Sequence, residues 1–198
     1  MKIIIVGSTG IIGKKVAEEL SKRHEVINAS RTNADIKVNI ESTSSIEAMY
    51  KKTGTFDAVI STTGEGYFGP LKNATDAAFR KGINSKLMGQ VNLVLIGQHH
   101  INQKGSFTLT TGILAEDPVF NGSNLSLVNG GINSFVIAAA IELDNNIRIN
   151  AVSPGVVEDA PHYFPFFPGH IPVSMDNVVA AYIKSVEGFL TGKIIKVF

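Results

Sequence analysis

Short continuous apolar runs alternate along the chain with longer segments in which apolar residues recur at helical spacing. Lys2–Val6 is a continuous β-branched run, the pattern of a buried parallel strand. In Ile11–Leu20, Val16, Ala17 and Leu20 fall at helical spacing with charges between them, and Lys22-Arg23 come next, where a helix dipole favours cations. The same reading predicts strands at Glu25–Ala29, Asp35–Ile40, Phe56–Ser61, Ser106–Thr111, Arg148–Ser153 and Lys193–Val197. It predicts helices at Ser42–Lys52, 71–81, 84–102, 123–144 and 176–187. Strand and helix alternate from end to end, and parallel strands need crossovers that place helices on both faces of the sheet. The expectation is an α/β fold, a Rossmann-type doubly wound parallel sheet of about seven strands. No repeat or linker interrupts the pattern, so residues 1–198 are expected to form one domain.

Composition narrows the function. Of 198 residues, 44% are hydrophobic, enough for a sizeable core. Eighteen Lys and Arg against seventeen Asp and Glu leave a net charge of +1, which gives no electrostatic case for nucleic acid or an anionic membrane as partner. Cysteine is absent, which excludes disulfides, thiolate metal sites and a cysteine nucleophile. The first apolar run stops at Gly7, and no stretch is expected to reach the ~20 residues of a membrane span. A soluble, cytoplasmic protein is expected. His99-His100 has no third ligand at suitable spacing, so no metal site is expected.

Chemistry concentrates in Gly7-Ser8-Thr9-Gly10-Ile11-Ile12-Gly13, between the first strand and the first helix. Gly7 allows the tight turn, Gly10 lets the backbone approach a pyrophosphate, and Gly13 permits close helix–strand packing. Free N–H groups and the helix dipole then attract phosphate. At the end of the second strand, where an NAD site usually carries a carboxylate, the chain reads Asn28-Ala29-Ser30-Arg31. Arg31 suits a 2′-phosphate and Ser30 adds a hydroxyl, so NADP(H) is preferred over NAD(H).

With these residues in view, the chain resembles the short-chain dehydrogenase/reductase family over nearly its whole length. Gly7–Gly13 is similar to the family's glycine loop, Asn39-Ile40 to the pair flanking adenine, and Thr62-Thr63-Gly64 to its Asn-Ala-Gly. Asn150-Ala151-Val152-Ser153-Pro154-Gly155-Val156-Val157 resembles the segment whose backbone lies beside the nicotinamide, here Pro154, Gly155, Val156 and Val157. The resemblance implies carbonyl reduction by Ser, Tyr and a Lys four residues later, helped by an Asn. Here Leu125 stands at the tyrosine position and Asn129 at the lysine position. Thr111 (or Thr110) stands at the serine position, and Lys86 replaces the Asn of an earlier helix. Lys86 and Thr111 are therefore the candidate catalytic residues, with Tyr163 or His162 as alternative acids.

Three functions compete. One is an NADP(H)-dependent oxidoreductase acting on a small carbonyl or alcohol with an atypical proton donor. Another is a non-catalytic NADP(H)-binding sensor or regulatory module. The third is isomerisation or epimerisation with Tyr163 or Glu116 as acid. The aromatic segment His162–Phe167 is expected to cover an apolar substrate or to pack on a neighbouring subunit. In the family, helices equivalent to 84–102 and 123–144 pair across a two-fold axis, which implies a homodimer or homotetramer here.

Overall fold

Seven strands form one parallel sheet in a computed structural model that describes residues 1–198. The strands are β1 (Lys2–Val6), β2 (Glu25–Ser30), β3 (Ile36–Lys37), β4 (Phe56–Ser61), β5 (Ile101–Thr110), β6 (Arg148–Pro154) and β7 (Lys193–Val197). Their order is β3-β2-β1-β4-β5-β6-β7. The chain works outward from β1 in one direction and then from β4 in the other. The crevice between the carboxyl ends of β1 and β4 is thus the switch point at which such sheets bind ligands.

Alternation along β1 decides which side each residue packs on. Ile4 and Val6 join one core with Phe107, Leu109 and Ile132. That layer carries α2 (Thr43–Thr53), α4 (Gly89–Gly97) and α5 (Ser123–Glu142). Ile3 and Ile5 point the other way, into a core with Val16, Ile60 and Tyr182. Here α1 (Ile11–Leu20) and α6 (Met175–Glu187) cover the sheet. Within this second layer, Tyr182 hydrogen-bonds Thr110 Oγ1 at 2.6 Å, and that hydroxyl donates in turn to the Ser61 carbonyl at 2.5 Å.

Four sequence expectations need correction. The third strand is two residues long rather than Asp35–Ile40. The Asp35 carboxylate accepts the Asn28 N–H at 2.9 Å in place of a ladder bond, and Ser45 Oγ accepts from Asn39 N–H, turning the chain into α2. The helix expected at 71–81 starts at Asp76 (α3, Asp76–Gly82), because Thr75 Oγ1 caps it by accepting from Ala78 N–H at 3.2 Å. The helix expected at 84–102 stops at Gly97. Asn102 then donates to the Asp57 carboxylate at 2.7 Å, and Ile101 pairs with Phe56, so the chain has already entered β5. Finally, α5 does meet the length and apolarity of a membrane span, contrary to the expectation that no stretch would. It lies on the sheet through Val128, Ile132 and Val136, while Leu127, Ile137 and Ile141 are exposed.

A wide turn joins α3 to α4. Ile83–Met88 forms a π-helical turn, so residues 76–97 run as one helical segment with an extra residue in the middle. Such turns are uncommon and concentrate at functional sites. This one carries Lys86.

Candidate active site

The glycine loop departs from β1 with Gly7 at φ +91°, a backbone region that costs a side-chain-bearing residue energy. A Cβ on Gly13 would lie 2.2 Å from the Gly7 carbonyl and 2.5 Å from Thr62 Oγ1, so only glycine lets α1 pack this tightly. Thr62 Oγ1 donates to the Gly7 carbonyl at 3.1 Å, tying the loop to the end of β4. No side chain caps α1, and the buried Ser8 hydroxyl has no partner. A helix N-terminus left without a cap, beside an orphaned hydroxyl, fits the phosphates of a dinucleotide.

Two cavities meet at this loop. The first, about 220 Å³, is lined by Gly7, Thr9, Gly10, Ser30, Arg31 and Asn39, with Ile40, Thr62, Thr63, Gly64, Glu65 and Ser85. The second, about 560 Å³, shares Thr62, Gly64 and Glu65 with it and is mostly apolar. Ile11, Ile12, Gly155, Val156 and Val157 line it with Lys86, while Phe68, Leu114, Leu125, Ala160, Tyr163 and Phe167 complete its wall. Of β2, only the carboxyl end reaches the cleft, through Ser30, as the strand order requires. Most of the residues expected at a cofactor therefore converge on one cleft. Pro154 ends β6 just before the lining residues, Ser8 borders a neighbouring surface pocket, and Gly13 acts through packing.

Lys86 is half-buried against the carboxyl end of β5, its Nζ 3.4 Å from the Thr110 carbonyl. Burial lowers its ammonium from an ordinary 10.5 to about 8. Gly64 (φ +123°) permits this placement, since a Cβ there would lie 2.7 Å from Lys86 Cα. Gln90, fully buried, fixes the turn from behind. Its Nε2 donates to the carbonyls of Lys86 (3.1 Å) and Thr110 (2.9 Å), and its Oε1 accepts from Thr110 N–H at 2.8 Å. Thr111 is buried and donates its hydroxyl to the Asn129 carbonyl at 3.0 Å; it does not line the cavity. Asn129 Nδ2 is 3.5 Å from the Gly112 carbonyl, and its Oδ1 is buried without a partner.

Two other candidates, Ser30 and Glu116, are engaged elsewhere. Ser30 Oγ donates to the Thr32 carbonyl within its own turn. Glu116 is ion-paired with Lys196. Tyr163 and Phe167 face the apolar cavity, and Phe166 packs edge-on against Phe68 at 5.2 Å, which ties the aromatic segment to the loop after β4. Gln90, Ser85 and Lys81 also belong to the site, and sequence reasoning does not single them out. Gln90 lies four residues beyond Lys86, one turn of an α-helix, and that spacing is the one available signal.

A family model described as enoyl-(acyl carrier protein) reductase matches residues 3–166. The protein lin1944 from Listeria innocua superposes with a TM-score of 0.98 at 45% identity, over 100% of both chains. A small-chain dehydrogenase solved in complex with NADPH superposes at 0.89 and 26% identity, over 100% of this chain and 96% of that one. An uncharacterized oxidoreductase of Methylorubrum extorquens is 23% identical over 136 residues, 68% of this chain; the chain covers 55% of that protein's length. With its parallel sheet and its glycine loop at the switch point, the chain belongs to the short-chain dehydrogenase/reductase family of NAD(P)-dependent oxidoreductases.

Proposed function

We propose that the protein is an NADP(H)-dependent oxidoreductase of a small, largely apolar carbonyl or alcohol, with Lys86 in place of the usual tyrosine acid. The observation that carries this is Lys86 itself: a lysine on an apolar cavity wall, at the join with the phosphate-binding cleft, with an ammonium near neutrality. A bound nicotinamide would supply or accept a hydride at carbon. The chain's part is the proton: near pH 8 the Lys86 ammonium can donate to a developing alkoxide and return as a neutral amine that accepts one in the reverse direction. Leu125, on the same wall, adds apolar surface and offers no proton. Ile11, Ile12, Val156 and Phe167 exclude water and favour an uncharged substrate. Thr111 is a positioning residue in this reading, joining β5 to α5.

The preference for NADPH over NADH rests on Arg31 in the wall of the smaller cavity, where β2 ends in Ser30 and offers no carboxylate to a ribose hydroxyl. A homo-oligomer is part of the same reading, supported by exposed Leu95, Leu127, Ile137 and Ile141 on α4 and α5. The deciding experiment titrates NADPH and NADH by fluorescence and then measures NADPH consumption over a panel of carbonyl compounds. Lys86→Ala is expected to abolish turnover while NADPH affinity falls only a few fold. A non-catalytic sensor is favoured by one feature, the commitment of the Thr111 hydroxyl to a backbone carbonyl. NADPH binding without turnover on any compound would select it.

A further inference from the structure

Arg31 is not free in the cofactor cleft. Its Nη2 lies 2.5 Å from Glu65 Oε1, and the other carboxylate oxygen of Glu65 lies 3.2 Å from Lys81 Nζ. Arg31 lines the smaller cavity, Lys81 the larger one, and Glu65 both. The three side chains thus bridge the seam between the two halves of the cleft, from the end of β2 to the end of α3. Hydrogen bonds from Arg31, then from Lys81, hold the Glu65 carboxyl below the usual carboxylate range, so it is anionic at any working pH. Its main chain is anchored: Glu65 N–H donates to the buried Ser85 hydroxyl at 3.1 Å, and Gly64 packs against Lys86. Its side chain is 44% exposed and that of Arg31 68%, so the bridge is a solvent-facing ion pair that a stronger anion can displace.

We propose that Glu65 is a specificity-determining counter-ion: it occupies Arg31 in the empty protein and must be displaced by the 2′-phosphate of NADP(H). This rests on Arg31 being the 2′-phosphate residue. The displacement cost falls only on ligands that carry that phosphate, because a 2′-hydroxyl makes no demand on the guanidinium. Glu65 therefore narrows the preference for NADP(H) over NAD(H) below what Arg31 alone would give. Once displaced, the carboxylate still has Lys81 within reach, so no charge is stranded. A phosphate dianion can replace the carboxylate at Arg31 because its charge-assisted contacts are stronger than an exposed carboxylate pair.

The test is equilibrium binding of NADPH and NADH, and of adenosine 2′,5′-bisphosphate and 5′-AMP, to the wild-type chain, Arg31→Ala, Glu65→Gln and the double variant. Circular dichroism and thermal melts first establish that each variant is folded. Glu65→Gln should tighten NADPH and the bisphosphate by about two- to fivefold, the range of one exposed ion pair. NADH and 5′-AMP should change equally little, so the preference ratio rises. In the Arg31→Ala background the same substitution should leave the ratio unchanged. If Glu65→Gln leaves the ratio unchanged or lowers it while Arg31→Ala still abolishes the preference, the counter-ion role is overturned and the Arg31 reading stands. If Arg31→Ala leaves the preference intact, both fall.

Discussion

Replacing Lys86 by Met removes a charge from a place that penalises charge. Burial lowers the ammonium from 10.5 to about 8, and each pH unit of such lowering corresponds to about 1.4 kcal/mol. Folding with Lys86 charged therefore costs about 3 kcal/mol, set against about 1 kcal/mol or less from its long contact to the Thr110 carbonyl. Proton counting fixes the sign. Below pH 8 both folded and unfolded chains hold the proton, and the cost is fully present. Between 8 and 10.5 the unfolded chain holds the proton more tightly, so stability rises with pH; above 10.5 both are neutral and the cost is gone. Met keeps the stem's apolar packing. Urea denaturation should then show Lys86→Met more stable than wild type by about 2–3 kcal/mol at about pH 6.5, with the gap shrinking through pH 8 and nearly closed by 10.5. The same variant should be inactive, which identifies stability given up for chemistry. A gap that is absent, negative or independent of pH would refute the account of Lys86 as a desolvated ammonium.

Gly13→Ala should leave the secondary structure intact yet weaken NADPH binding by more than about tenfold, because its methyl would collide with the Gly7 carbonyl; fluorescence titration reads this directly. Thr111→Val removes one buried hydrogen bond to Asn129 and should lower unfolding free energy by about 1 kcal/mol, with turnover retained. Activity retained in that variant and lost in Lys86→Ala, measured side by side, separates positioning from proton transfer. Ile137→Glu, on the exposed side of α5, should shift the protein to a smaller species in light scattering, and a wild-type chain already monomeric at micromolar concentration would end the oligomer proposal.

The parts of the fold that the sequence makes legible are those where burial leaves little choice. Lys2–Val6 lies between two helical layers, so polar residues are excluded from its interior and its pattern has one reading. The same holds for Ala58-Val59-Ile60 within Phe56–Ser61, whereas β6 admits the buried Asn150 because its amide bonds the Leu190 carbonyl and the Lys193 N–H. The missed boundaries depend on partners distant in the chain or on side chains that take a backbone bond: β5 starts early, where Asn102 meets Asp57, and β3 is short because Asp35 takes the Asn28 N–H before it and Ser45 takes the Asn39 N–H after it. The glycine loop is legible because its requirements are local. The Arg31–Glu65 bridge is not, since 34 residues separate its members. It arises only from the order β2-β1-β4, which sets the carboxyl ends of β2 and β4 on either side of the Gly7 turn. Lys86 is the hardest case. An apolar pattern read at 3.6 residues per turn has no place for the extra residue of a π turn, and that residue rotates the preceding helix face by about 100° relative to the succeeding one. Gln90 holds the widened turn to Thr110, and that clamp sets a lysine at the end of β5 beside the cofactor cleft. The identity of residue 86 is written in the sequence, but its direction is a property of the turn, and the turn is a property of the packing.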